Sequence, residues 1–174
     1  MIGPSDRKDL SNRKDLSDRK DLSDRKVLLK GYGNPAREDD GLGPAVAEEL
    51  ERLHIAGLTV DVDYQLSVED SAALAEHDTV IFVDASIDGK EPYSFSRVEP
   101  KRQESFSSHS VSPEAVFYLA MELFGARSDV YVLAVRGYSF NMFTEEMTSQ
   151  AKKNMREAVN FLVSILHTGI FQEF

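Results

Sequence analysis

Short apolar runs that alternate with helix-patterned segments constrain this chain more than any other feature. Val27–Tyr32 is short and largely apolar, which suits a strand buried on both faces. Leu58 to Leu66 alternates Val60, Val62, Tyr64 and Leu66 and predicts a second strand. Asp78 to Ala85 reads as a buried strand ending on the carboxylate of Asp84, and Val130–Val135 as another. Between them lie helical patterns. One has Pro44 near its first turn and Val46, Leu50 and Leu53 on one face, and a short one covers 68–76. A third opens at Ser112-Pro113-Glu114, carries Val116, Leu119, Ala120 and Leu123, and stops at Gly125. The last buries Met147, Ala151, Met155, Ala158, Leu162, Ile165 and Leu166. Strands alternating with helices predict an α/β domain whose mainly parallel sheet is covered on both faces.

The domain is preceded by a different kind of sequence. SDRKDL, SNRKDL, SDRKDL and SDRK repeat through the first 26 residues, with Leu10, Leu16 and Leu22 as the apolar member of each full copy. A spacing of six sets successive leucines about 240° apart on a helix, so no buried stripe can form. Asp9, Asp15 and Asp21 each stand four residues before an arginine, which favours a solvated, loosely helical or disordered segment. The expected division is a tail over 1–25 and one domain over 26–174, long enough to bury a core.

Composition narrows the function. Residues 1–26 hold eight Lys/Arg and six Asp, so the other 148 hold 12 Lys/Arg against 24 Asp/Glu, a balance of −12. So acidic a domain repels phosphate backbones, and no nucleic-acid partner is expected. Cations and basic peptide segments fit better. No apolar run approaches the ~18 residues of a membrane span, and the charged N-terminus lacks the apolar core of a secretory signal. Cys is absent, which removes disulfides, zinc–thiolate sites and cysteine nucleophiles. A cytoplasmic location is expected.

In open α/β sheets the ligand crevice lies beyond the carboxyl ends of the strands. The Gly31–Gly41 loop, Asp84, Arg136-Gly137-Tyr138 and the long polar 86–111 loop carrying His109 all leave that edge. Asp40, Asp84 and His109 can therefore meet. Two carboxylates and an imidazole suit a divalent transition metal. Each has a plainer explanation: Asp39 and Asp40 could cap the following helix, Asp84 could close a turn, and His109 could be an idle surface imidazole. His54, His77 and His167 sit at helix ends or on solvated faces and are assigned no function. No H-E-x-x-H helix or G-x-S-x-G elbow is present. Gly31-Tyr32-Gly33 lacks the third glycine of a dinucleotide loop, and its carboxylates would repel a pyrophosphate.

Leu29–Pro35 followed by Asp39-Asp40-Gly41-Leu42-Gly43 resembles the opening motif of the nickel–iron hydrogenase maturation proteases. Val80–Ala85 is similar to their second motif, and His109-Ser110 before Ser112-Pro113 to their third. The resemblance spans roughly residues 26–168. It implies a three-layer α/β/α fold with a twisted, mainly parallel sheet (phosphorylase/hydrolase-like). It implies an endopeptidase, aspartic-type or metal-assisted, that removes the C-terminal extension of a hydrogenase large-subunit precursor after nickel insertion. Asp40, Asp84 and His109 would be both the metal contacts and the catalytic set, with individual roles unassigned. Nickel would come with the substrate, and other divalent metals could enter the site. A monomer acting on the precursor is expected. The alternative is a non-catalytic assembly chaperone that recognises the nickel-loaded subunit. A small-ligand α/β enzyme using the Gly31–Gly41 loop is a further rival.

Overall fold

A computed structural model describes residues 25–103, 111–141, 144 and 146–171. Five strands form one sheet in the order β2-β1-β3-β5-β4. They are β1 (Val27–Tyr32), β2 (Leu58–Asp63), β3 (Thr79–Ser86), β4 (Tyr93–Arg97) and β5 (Asp129–Arg136). The helices are α1 (Leu42–Arg52), α2 (Asp70–Ala75), α3 (Pro113–Phe124) and α4 (Ser149–Thr168), and a 3₁₀ turn at Glu38–Gly41 precedes α1. β1, β2, β3 and β5 run parallel, and β4 is antiparallel to β5.

Side-chain alternation builds a core on each face of the sheet. Leu29, Ile81, Val83, Leu133 and Val135 point one way and pack with Val46 and Leu50 of α1 and Ala158 and Leu162 of α4. Leu28, Val80, Phe82 and Val130 point the other way, against Leu74 of α2 and Val116 and Ala120 of α3. The helix–sheet–helix layering follows, because an apolar run buried on both faces needs a helix over each.

Several boundaries differ from the sequence reading. The 86–111 stretch is not all loop, since β4 lies within it. Tyr93 and Phe95 of β4 pack on Phe161 of α4 at ring-centroid separations of 5.1 Å, which holds the strand at the sheet edge. β2 ends at Asp63, so the alternation to Leu66 outruns the strand. Met147 lies outside the last helix, which begins after the Thr148 N-cap. Leu53 and Leu123, expected on buried faces, are exposed; Leu123 keeps 66% of its surface in solvent. Ser112 caps α3 as the sequence suggests, and Gly125 ends it in the left-handed conformation.

The repeat through residue 24 lies outside the described residues. Arg25 contacts the domain: its guanidinium pairs with Asp129 at 3.1 Å and lies 5.4 Å from the centroid of the Phe171 ring.

Candidate active site

The strand order places β1 between β2 and β3, so the chain leaves β1 toward one side of the sheet and later returns on the other. Such a switch point opens a crevice at the carboxyl ends of the two strands. Asp40 sits in the turn after β1 and Asp84 near the end of β3. The glycines of the first motif make the approach possible. A Cβ on Gly43 would lie 2.2 Å from the Tyr32 carbonyl oxygen and 2.5 Å from that of Val83. The start of α1 therefore rests directly on the ends of β1 and β3. Gly33 has φ +138, and a Cβ there would lie 2.1 Å from the Asp40 carbonyl oxygen. The loop is closed on its own backbone, with Asp40 at the fold of the closure.

Asp84 is an unusual carboxylate. Burial is the largest influence and pushes its pKa up to about 6; the nearby negative charge of Asp40 adds to the rise. Two hydrogen bonds oppose it, one from the Ala85 amide at 2.7 Å and one from the Tyr32 hydroxyl. Tyr32 is itself held edge-on to Phe82 with centroids 6.5 Å apart. Burial and the charge of Asp84 raise the Tyr32 pKa, so the phenol stays protonated and donates. Asp40 Oδ2 accepts from the Asn34 amide at 3.2 Å and faces the Arg37 guanidinium at 3.6 Å. Arg37 also donates to the Phe140 carbonyl at 3.3 Å. On the α2/α3 side Tyr32 lines a cleft of about 620 Å³ with Arg97, Glu99, Lys101 and Glu114 among its walls.

Asp39, read as a helix cap, is wholly buried and does something else. Its carboxylate accepts from the amides of Tyr138 at 2.7 Å and Ser139 at 3.1 Å, and from both the amide and the hydroxyl of Thr148 at 2.8 Å. It thus ties the segment after β5 and the N-cap of α4 to the turn that carries Asp40. Glu38 adds to the tie by accepting from Ser139 and, at 3.0 Å, from Asn141. The adjacent pair divides its labour: Asp39 holds the scaffold, while Asp40 pairs with the Asn34 amide and Arg37 within its own loop.

A second acidic group belongs to the fold. Asp61, Asp63 and Asp70 bring their oxygens within 4.8 Å of one another, a spacing that would suit a metal. The ammonium of Lys30 occupies the middle, at 2.7, 2.9 and 2.9 Å. Burial alone would lower the Lys30 pKa, but the hydrogen bonds to Asp61, Asp70 and Asp63 outweigh it and hold the pKa above the ordinary lysine value. The cluster already has its cation.

Of the three residues read as the site, Asp40 lies near enough to Asp84 for its charge to raise the Asp84 pKa, and His109 lies outside the described residues. His77 and His167 each place Nδ1 on the carbonyl four residues earlier in a helix, at 2.7 and 2.6 Å. Tyr32, Arg37 and Asp39 were missed by motif reading. Tyr32 lies inside the first motif and Arg37 between its two parts, near its glycines and aspartates, which is the signal that singles them out.

Comparison with solved structures connects this geometry to known proteins. The nickel–iron hydrogenase maturation protease HycI of Thermococcus kodakarensis superposes with a TM-score of 0.66 at 25% identity, covering 82% of this chain and 93% of that one. The hydrogenase 2 maturation peptidase of a Thaumarchaeota archaeon matches at TM-score 0.62 and 20% identity, over 82% and 99% of the two chains. The maturating endopeptidase HybD of Escherichia coli matches at 0.60 and 18%, over 83% and 93%. At identities this low the latter two speak for the fold. No protein-family profile and no curated protein sequence matches the chain.

Proposed function

We propose that this chain is a maturation endopeptidase of nickel–iron hydrogenases, cutting the C-terminal extension from a large-subunit precursor once nickel is in place. The observation that carries the reading is a fold shared with a Thermococcus kodakarensis maturation protease, in which Asp84 ends β3 and feels the charge of Asp40 from the turn after β1. The three sequence motifs point the same way. The solved relatives quoted above are named as proteases or peptidases, which favours cleavage over the assembly-chaperone alternative.

In this reading nickel is part of the substrate. Asp40 and Asp84 offer oxygen ligands and His109 a nitrogen ligand, a donor set suited to a borderline divalent metal. Other divalent metals would also be accepted, because no thiolate is present to discriminate. With a pKa of about 6, Asp84 is mostly ionised at pH 7, so it can contact a cation or take a proton from an attacking water. Peptide hydrolysis needs both a polarised carbonyl and a proton acceptor, and the metal-assisted and aspartic-type routes divide these tasks differently among the same residues. The acidic domain suits a protein partner and a cation. Among the described residues no helix is long and apolar enough to cross a membrane. We assign the activity to the cytoplasm.

The test is mass spectrometry of a nickel-loaded large-subunit precursor before and after incubation with this protein. Loss of the C-terminal extension as a single fragment supports the reading. An unchanged precursor mass, with a complex formed, would favour the chaperone.

A further inference from the structure

We infer that the groove between the end of β2 and the start of α1 binds an extended segment of the substrate, on either side of the cleaved bond, that carries a basic side chain. This rests on the endopeptidase reading above.

The groove has a volume of about 200 Å³ and is lined by Gly33, Pro44, Glu48, Val62, Asp63 and Tyr64. Four observations point to a peptide. First, β2 is an edge strand whose sheet neighbour, among the described residues, is β1 alone. Its outward backbone groups are a template for a further strand. Second, Val62 and Tyr64 stand out in solvent, and Tyr64 keeps 71% of its surface there. Exposed apolar side chains beside an open strand edge suit alternate side chains of an added strand.

Third, the rim is acidic. Glu48 and Asp63 line the groove. Asp63 is already paired with Lys30 at 2.9 Å, while the Arg52 contact with Glu48 is a loose 3.8 Å. A lysine or arginine on the bound segment would pair with Glu48.

Fourth, the groove adjoins the catalytic loop. Gly33 forms part of its wall and also rests against the Asp40 backbone. Strands lie about 4.8 Å apart, so a segment beside β2 is about 10–15 Å from Asp84, or three to five residues of extended chain from the bond to be cut. The groove therefore reads sequence at a distance from the metal, giving a second point of recognition.

The test is steady-state cleavage of the nickel-loaded precursor by the full chain and by Glu48→Lys and Tyr64→Ala, both exposed positions. Each variant is expected to raise KM about tenfold, the equivalent of roughly 1.4 kcal/mol, with kcat unchanged. Replacing the basic precursor residue three to five positions from the cut by Glu should restore the KM of Glu48→Lys. Unchanged KM in both variants, with normal cleavage by the unmodified protein, overturns the inference and leaves the endopeptidase reading standing. If the unmodified protein does not cut, that reading falls, and the groove is decided by nuclear magnetic resonance titration with a synthetic peptide of the C-terminal extension. Shifts confined to the amides of Gly33, Val62 and Tyr64 then support it, and their absence overturns it. Sedimentation showing a dimer that Tyr64→Ala dissociates would assign the groove to a second copy and overturn it as well.

Discussion

Asp39 and Thr148, 109 residues apart in sequence, are joined by two 2.8 Å hydrogen bonds from the Thr148 amide and hydroxyl to one buried carboxylate. The turn bearing Asp40 and the cap of the last helix are therefore one mechanical unit. Asp39→Ala would strand the amides of Tyr138, Ser139 and Thr148 in the interior. The expected loss is about 3–5 kcal/mol, measured by urea unfolding at pH 7. Asp40→Ala, at a partly exposed position, should cost under about 1 kcal/mol.

The raised pKa of Asp84 has a definite sign in stability. Its folded value of about 6 exceeds its ordinary 3.8, so the folded chain holds this proton more tightly than the unfolded chain. Its favourable contribution is complete below pH ~4 and is lost as pH rises through ~6. At roughly 1.4 kcal/mol per pH unit, ionised Asp84 costs the fold on the order of 3 kcal/mol. Asp84→Asn should therefore melt higher than the unmodified protein at pH 8, and the gain should vanish near pH 4. Thermal unfolding followed by circular dichroism at the two pH values checks this. Cleavage by the unmodified protein should rise with pH through about 6, as the carboxylate forms.

Lys30 substitutes for a metal within three carboxylates, so removing it should create a metal site. Lys30→Ala should lower stability by several kcal/mol through uncompensated carboxylate repulsion. Millimolar calcium should restore part of the loss in the variant and leave the unmodified protein unaffected. Differential scanning calorimetry with and without calcium reads both effects.

Gly43→Ala tests the contact that seats α1 on the sheet. Its methyl would meet two backbone carbonyls at 2.2 and 2.5 Å, and neither can move alone. A loss of about 2–4 kcal/mol is expected, with cleavage reduced beyond what instability explains, because the Asp40 turn shifts with the helix. Unfolding and activity at 15 °C, where the variant remains folded, separate the two.

How much of this was legible in the sequence depends on where each residue's partners lie. β1, β3 and β5 announce themselves because burial on both faces demands continuous apolar runs. β4 is only five residues, and its Tyr93/Phe95 alternation is hidden between Pro92 and Pro100. The motif glycines mark the loop after β1, since close backbone approach leaves a local signature. Asp39 leaves none: its donors begin 99 residues downstream, so it looks like any acidic residue before a helix. Lys30 reads as one charge in an apolar strand, because its three partners sit on β2 and α2. Leu123 follows the helical period yet lies exposed near the end of α3.

In the function proposed above, Asp84 acts on a substrate that brings its own nickel. The most direct measurement is cleavage of nickel-loaded and nickel-free precursor, side by side, by the unmodified protein and by Asp84→Asn, with fold checked by circular dichroism. Cleavage of the loaded precursor only is expected, with a rate at least ~100-fold lower for the well-folded variant. Equal cleavage of both precursors, or full activity in Asp84→Asn, would contradict it.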